Sequence, residues 1–141
     1  MVNPFPESKI LIIDDDLNLQ SSLKRLLIKE NFIVAVASEG MEALSLMEKF
    51  KPNCILLDLL MPYLNGKETL RMTKWLHPTS KIIIISGFAE LYSITTKTWT
   101  DMGAFCFVPK PIKFEELLIL IIQALESKTI EHESRLRTAE Q

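Results

Sequence analysis

Five short apolar runs recur along the chain, at 10–13, 32–37, 54–57, 82–85 and 105–108. They are rich in Ile, Val, Leu and Phe and do not alternate with polar residues. Strands covered on both faces read this way. The intervals carry helical spacing. Leu19, Leu23, Leu26 and Leu27 share one face; Ala43, Leu44 and Met47 share another, with Ser38 placed to cap that helix. Asn65-Gly66 marks a turn into a helix that ends before His77-Pro78. Phe114, Leu117, Leu118, Ile121, Ile122 and Leu125 recur at the period of a last amphipathic helix. Strand and helix thus alternate five times. That order predicts right-handed crossovers and an α/β fold, a parallel sheet with helices on both faces.

Two stretches depart from this regularity. Ile119 and Leu120 point away from the core face of the last helix, which makes that helix apolar on its outer side too. The fourth interval, 87–102, carries Thr95, Thr96, Thr98, Trp99 and Thr100, poor helix formers that predict a short or shifted helix. Beyond Glu126 the chain turns polar, with Ile130 and Leu136 its only large apolar residues. Residues 1–126 therefore read as one domain and 127–141 as a polar tail or the start of a linker helix.

Composition narrows the class. The 141 residues suffice for one domain with a real core. A content of 48% hydrophobic and 24% charged residues is globular rather than disordered. A net charge of −2 without a Lys/Arg run argues against direct nucleic-acid binding by this domain. Cys54 and Cys106 sit inside apolar runs and read as reduced core thiols. The longest unbroken apolar runs, 117–122 among them, are far too short to span a bilayer, and residues 1–7 do not resemble a signal peptide. A soluble cytoplasmic protein without membrane contact is the expectation.

Candidate chemistry gathers at the strand ends. The first run ends in Asp14, Asp15 and Asp16, the third in Asp58, the fourth in Ser86, and the fifth, after Pro109, in Lys110. A parallel sheet brings these ends to one edge, where ligands bind. Clustered carboxylates suit a hard cation such as Mg²⁺, which takes one or two carboxylates, keeps waters and accepts a phosphate oxygen. A carboxylate can also act as a nucleophile and form an acyl phosphate. Asp16 is also well placed to cap the first helix, although the triplet leaves Asp15 and Asp16 open as the cation-holding pair. There is no Ser/His/Asp arrangement, no zinc-spaced His/Cys cluster and no Gly-rich phosphate loop.

The sequence resembles the receiver domain of two-component response regulators from about Lys9 to Leu125. The resemblance is carried by Ile10-Leu-Ile-Ile-Asp-Asp-Asp16, Leu57-Asp-Leu-Leu-Met-Pro62 with Gly66, Ile84-Ile-Ser-Gly87, Gly103-Ala104 and Phe107-Val-Pro-Lys-Pro111. It implies a flavodoxin-like, doubly wound five-stranded sheet of order 2-1-3-4-5. It implies that Asp58 accepts a phosphoryl group from a sensor histidine kinase or phosphotransfer protein. Asp14 and Asp15, with Asp58 and the backbone carbonyl of Leu60, would hold Mg²⁺. Ser86 and Lys110 would bind the phosphoryl oxygens, Phe107 would be the aromatic switch, and Lys110–Pro111 a cis peptide. Such a module is not an enzyme beyond self-phosphorylation from small donors and slow autodephosphorylation. Its output surface would be the fourth helix, fifth strand and fifth helix, also a candidate homodimer face.

Some features depart from that family pattern. The interval from Ser86 to Lys110 is about two residues longer than the family norm, Phe88 is bulky at a position that tunes dephosphorylation, and Pro109 stiffens the approach of the lysine. Two rival functions remain at this level. A Mg²⁺-dependent aspartyl phosphatase would place a second Asp two residues after the nucleophile, followed by Thr or Val. Neither acidic motif here does so. A receiver-like scaffold working without phosphorylation is the other. The chain is either a stand-alone receiver or part of a longer regulator.

Overall fold

The computed structural model describes residues 2–59, 66–87 and 99–140, with side chains for 2–59, 68–87 and 99–127. Five parallel strands form one sheet: β1 (Lys9–Ile13), β2 (Ile33–Ala37), β3 (Cys54–Asp58), β4 (Lys81–Ser86) and β5 (Cys106–Pro109). Their order is β2-β1-β3-β4-β5. The described helices include α1 (Leu17–Lys29), α2 (Gly40–Phe50), α3 (Gly66–Leu76) and a final helix, α4 (Phe114–Glu140). This is the expected doubly wound flavodoxin-like arrangement.

Side-chain alternation along the central strands explains the two layers. Ile10 and Ile12 of β1, Cys54 and Leu56 of β3, and Ile83 and Ile85 of β4 pack with α1 and α4 through Leu23, Leu27, Leu117 and Ile121. Their neighbours Leu11, Ile13, Ile55, Leu57, Ile82 and Ile84 face the other way. They meet Ala43 and Met47 of α2 and Leu70 of α3. Both sides of the central strands are dry, hence the unbroken apolar runs. β2 differs. It lies at the edge of the sheet, begins at Ile33 rather than Phe32, and buries fully only Ala37.

Two expectations, for Ser38 and for Leu120, need correction. Ser38 does not cap α2; Glu39 occupies that position without a side-chain bond, and Ser38 Oγ instead accepts from Gln20 Nε2 at 3.1 Å. Leu120 does not point clear of the core; it is half-buried against the α1–α4 layer, and only Ile119, 40% exposed, faces outward. The chain beyond Glu126 stays helical to Glu140. Thr95, Thr96 and Thr98 lie outside the described residues. Of that interval, 99–101 is helical and Trp99 is buried in the α2–α3 layer.

Candidate functional site

Strand register brings the polar ends together. Ile13 pairs with Leu57, which sets Asp14 beside Asp58, and Asp58 pairs with Ile85, one residue before Ser86. Ser86 pairs with Pro109, and the Lys110 N–H donates to the Ser86 carbonyl at 2.8 Å. Every predicted group that lies in the described residues therefore falls at the same edge of the sheet.

Asp14 and Asp58 are buried, while Asp15 is exposed. One ligand oxygen of each lies within 4.8 Å of the others. Three hard oxygen donors at that separation fit a small divalent cation that keeps part of its water shell. Asp16 is spent elsewhere: its Oδ1 accepts the N–H groups of Asn18 and Leu19, capping α1. Of the triplet, Asp14 and Asp15 fall in the cluster with Asp58, and Asp16 does not.

Lys110 reaches across the cluster. Its Nζ donates to Asp14 Oδ2 at 3.0 Å and to Asp58 Oδ2 at 3.2 Å. Its stem runs past Gly87, where a Cβ would lie 3.9 Å from Lys110 Cδ. Burial alone would lower the pKa of this amine. Its hydrogen bond to Asp14 and the charges of Asp58 and Asp14 outweigh that and raise it, so the ammonium persists throughout the neutral range. Lys110–Pro111 is cis, as expected.

Ser86 is fully buried at the end of β4. Phe107 is buried beside Ile84 on the α2–α3 side, whereas its neighbour Cys106 packs into the opposite layer. Leu60 and Phe88 lie outside the described residues.

Gln20 was not anticipated. It is buried in α1, and its amide donates to the Asp14 carbonyl, to the Ala37 carbonyl at 3.0 Å and to Ser38 Oγ at 3.1 Å. The available signal was its position: Gln20, Leu23 and Leu27 share one stripe of α1, and a polar residue on a buried stripe needs partners.

An open doubly wound sheet with an acidic cluster and a lysine at its carboxyl edge defines a CheY-like signalling module. The chain belongs to the response regulator receiver domain family, whose model matches residues 10–122. Among curated relatives, the transcriptional regulatory protein CpxR of Klebsiella pneumoniae is 38% identical over 114 residues, covering 81% of this chain and 47% of CpxR. The response regulator MprA of a Mycobacterium species (strain KMS) is 33% identical over 110 residues, 78% of this chain and 47% of MprA. The chain thus spans about half the length of these relatives. A CheY-like receiver domain from Methanospirillum hungatei superposes with a TM-score of 0.82 at 30% identity, covering 89% of this chain and 98% of that one. Among the described residues no helix is long and apolar enough to cross a membrane.

Proposed function

We propose that Asp58 is the phosphoacceptor of this receiver domain. The observation that carries the reading is the bridge from Lys110 to both Asp14 and Asp58, at the edge where an acidic cluster is assembled. In this reading a carboxylate oxygen of Asp58 attacks the phosphorus of a phosphohistidine on a sensor kinase or phosphotransfer protein. The P–O bond forms as the P–N bond breaks, and the electron pair leaves with the imidazole nitrogen, which takes up a proton. Phosphoryl transfer of this kind needs positioning and charge neutralisation more than covalent assistance. Lys110 supplies part of the neutralisation and keeps Asp58 in a fixed orientation. Asp14, Asp15 and Asp58, with the Leu60 carbonyl, would hold Mg²⁺, which when bound neutralises further charge on the reacting oxygens.

The added phosphoryl group carries strong acceptor oxygens. Ser86 supplies a hydroxyl beside it, and Phe107, on β5 three residues before Lys110, supplies a side chain whose repacking would report the event. In this reading the fourth interval, which lies largely outside the described residues, forms the output surface together with β5 and α4; Ile119 is exposed on α4. Residues 1–126 act as the switching unit of a cytoplasmic protein, and residues 127–140 continue α4 into the start of a linker. The domain is a phosphoacceptor rather than an enzyme with its own external substrate.

The test is incubation with Mg²⁺ and a small phosphodonor, with Asp58→Asn as control. An acid-stable, base-labile adduct mapped to Asp58 and lost in D58N is expected. No adduct at Asp58 would leave a scaffold that works without phosphorylation.

A further inference from the structure

Gln20 lies outside the set of charged and phosphoryl-binding groups, yet it is tied to the same loop. We propose that Gln20 is a positioning residue for cation binding: it fixes the backbone of Asp14 so that the acidic cluster is assembled before the cation arrives. The inference rests on the reading of Asp14, Asp15 and Asp58 as the Mg²⁺ site.

The hydrogen bonds of Asp14 carry the case. Its N–H donates to the Ala37 carbonyl at 3.1 Å, closing the end of the β1–β2 ladder. Its carbonyl accepts from Gln20 Nε2. Its Oδ1 accepts the Asp16 N–H at 2.9 Å, and its Oδ2 takes the Lys110 ammonium at 3.0 Å. Of these, only the Gln20 bond holds the Asp14 peptide to α1. The same amide nitrogen holds the Ala37 carbonyl and Ser38 Oγ, so one buried side chain joins the ends of β1 and β2. Asp16, which begins α1 as its cap, sits four residues before Gln20. The loop carrying Asp14 and Asp15 is therefore clamped at both ends by one turn of helix. Without Gln20 the Asp14 carbonyl is left in a buried environment and must turn to find a donor. That turn would carry the Asp14 and Asp15 carboxylates with it. Outer-shell partners of metal ligands commonly change affinity by about 10- to 100-fold when removed.

Gln20→Met keeps the length and fills the space while removing the donor. Ser38→Ala removes one acceptor of the same amide but leaves the Asp14 bond in place. Mg²⁺ affinity of the full chain is measured by titration calorimetry, at a temperature where unfolding curves show each variant folded. The expected result is Mg²⁺ binding weakened about tenfold in Q20M and within about twofold of wild type in S38A. A second readout uses the unaltered protein and is independent of how Q20M folds. On Mg²⁺ titration the Gln20 side-chain amide resonances should shift with the occupancy of the site. Those of Asn53, at the opposite end of β1, should not.

Wild-type affinity in a folded Q20M, equal losses in Q20M and S38A, or Gln20 resonances that stay still at saturating Mg²⁺ would each overturn the proposal. A wild-type chain that binds no Mg²⁺ would overturn the reading of the cluster and this inference with it. Normal wild-type binding with an indifferent Q20M overturns this inference alone.

Discussion

Replacing Lys110 with alanine tests the charge balance of the site most directly. The ammonium lies 3.0 Å from Asp14 Oδ2 and 3.2 Å from Asp58 Oδ2, and the two carboxylate side chains are 5% and 6% exposed. At an effective dielectric constant of about 20, each contact has a gross attraction of roughly 5 kcal/mol. Desolvation of all three groups offsets most of that. Truncating one partner of a buried pair costs about 3–5 kcal/mol net, largely because charge is left buried without compensation. The Lys110 side chain is 25% exposed, which favours the lower end, about 3 kcal/mol. For a chain of this length the melting temperature should fall by about 6–12 °C. Mg²⁺ should narrow this deficit without closing it. Lys110 and a cation compete for Asp14 and Asp58, so K110A should bind Mg²⁺ about tenfold more tightly. Added Mg²⁺ should then stabilise the variant more than the wild type by ligand linkage. Urea unfolding followed by circular dichroism, in chelator and in saturating Mg²⁺, measures both effects. Equal stability of K110A and wild type in chelator, or equal gains from Mg²⁺, would refute the reasoning.

Three further changes separate neighbouring roles. Asp16→Ala removes the cap of α1 and should cost about 1 kcal/mol in urea unfolding, and calorimetry should find Mg²⁺ binding weakened, since that cap holds one end of the loop carrying Asp14 and Asp15. Gly103→Ala places a Cβ 2.8 Å from Lys74 Cγ at a φ of +107°. It should destabilise by about 2–3 kcal/mol, and Lys74→Ala in the same chain should recover the part due to the clash. Burial pushes the Cys106 thiol from its ordinary 9.0 to about 11. Its folded pKa is raised, so the associated stability is whole below pH 9.0 and is lost as pH climbs towards about 11. Cys106→Ala should flatten that part of a stability–pH profile, leaving the later loss from the raised Lys110.

The sheet was legible because its strands are buried on both sides. Ile10–Ile13 and Ile82–Ile85 are apolar at every position, and this leaves little else they could be. β2 was less exact because an edge strand tolerates exposure: Ile33 is 45% exposed without penalty to the fold. The charged residues of the site were legible for a different reason. Asp14, Asp58 and Lys110 are costly at strand ends unless they meet, and the parallel order guarantees that they do. Ser38 and Gln20 were misread or missed because neither carries charge. Cap preference is a local property of sequence, whereas the bond from Gln20 to Ser38 links residues 18 positions apart. Leu120 was misplaced because the helical period tells which side a residue faces but not how far the neighbouring layer reaches. Phe105, Cys106 and Ile112, packed against the same cluster, extend that layer.

The same charge count bears on why the site would switch at all. Three carboxylates and one ammonium leave a local charge of about −2, which a divalent cation would cancel. On the proposed reading, Asp58 exchanges its single negative charge for a phosphoryl group of roughly −1.5 to −2. An excess of about half to one negative charge then stands where a balanced cluster stood. The cation cannot absorb it, being already matched to the carboxylates. Lys110 can shift its hydrogen bond from the Asp58 carboxylate to a phosphoryl oxygen, and the Ser86 hydroxyl can donate to another. Both groups are joined through the backbone, since the Lys110 N–H is bound to the Ser86 carbonyl at 2.8 Å. On the same reading a pull on either would be transmitted along β4 and β5, where Phe107 of β5 pairs with Ile84 and shares an apolar layer with the buried Trp99. On the same reading Asp14 and Asp15, held by Gln20 and by the Asp16 cap, would stay in place. The switch would then be asymmetric: the β1 side would hold still as the reference, and the β4–β5 side would move.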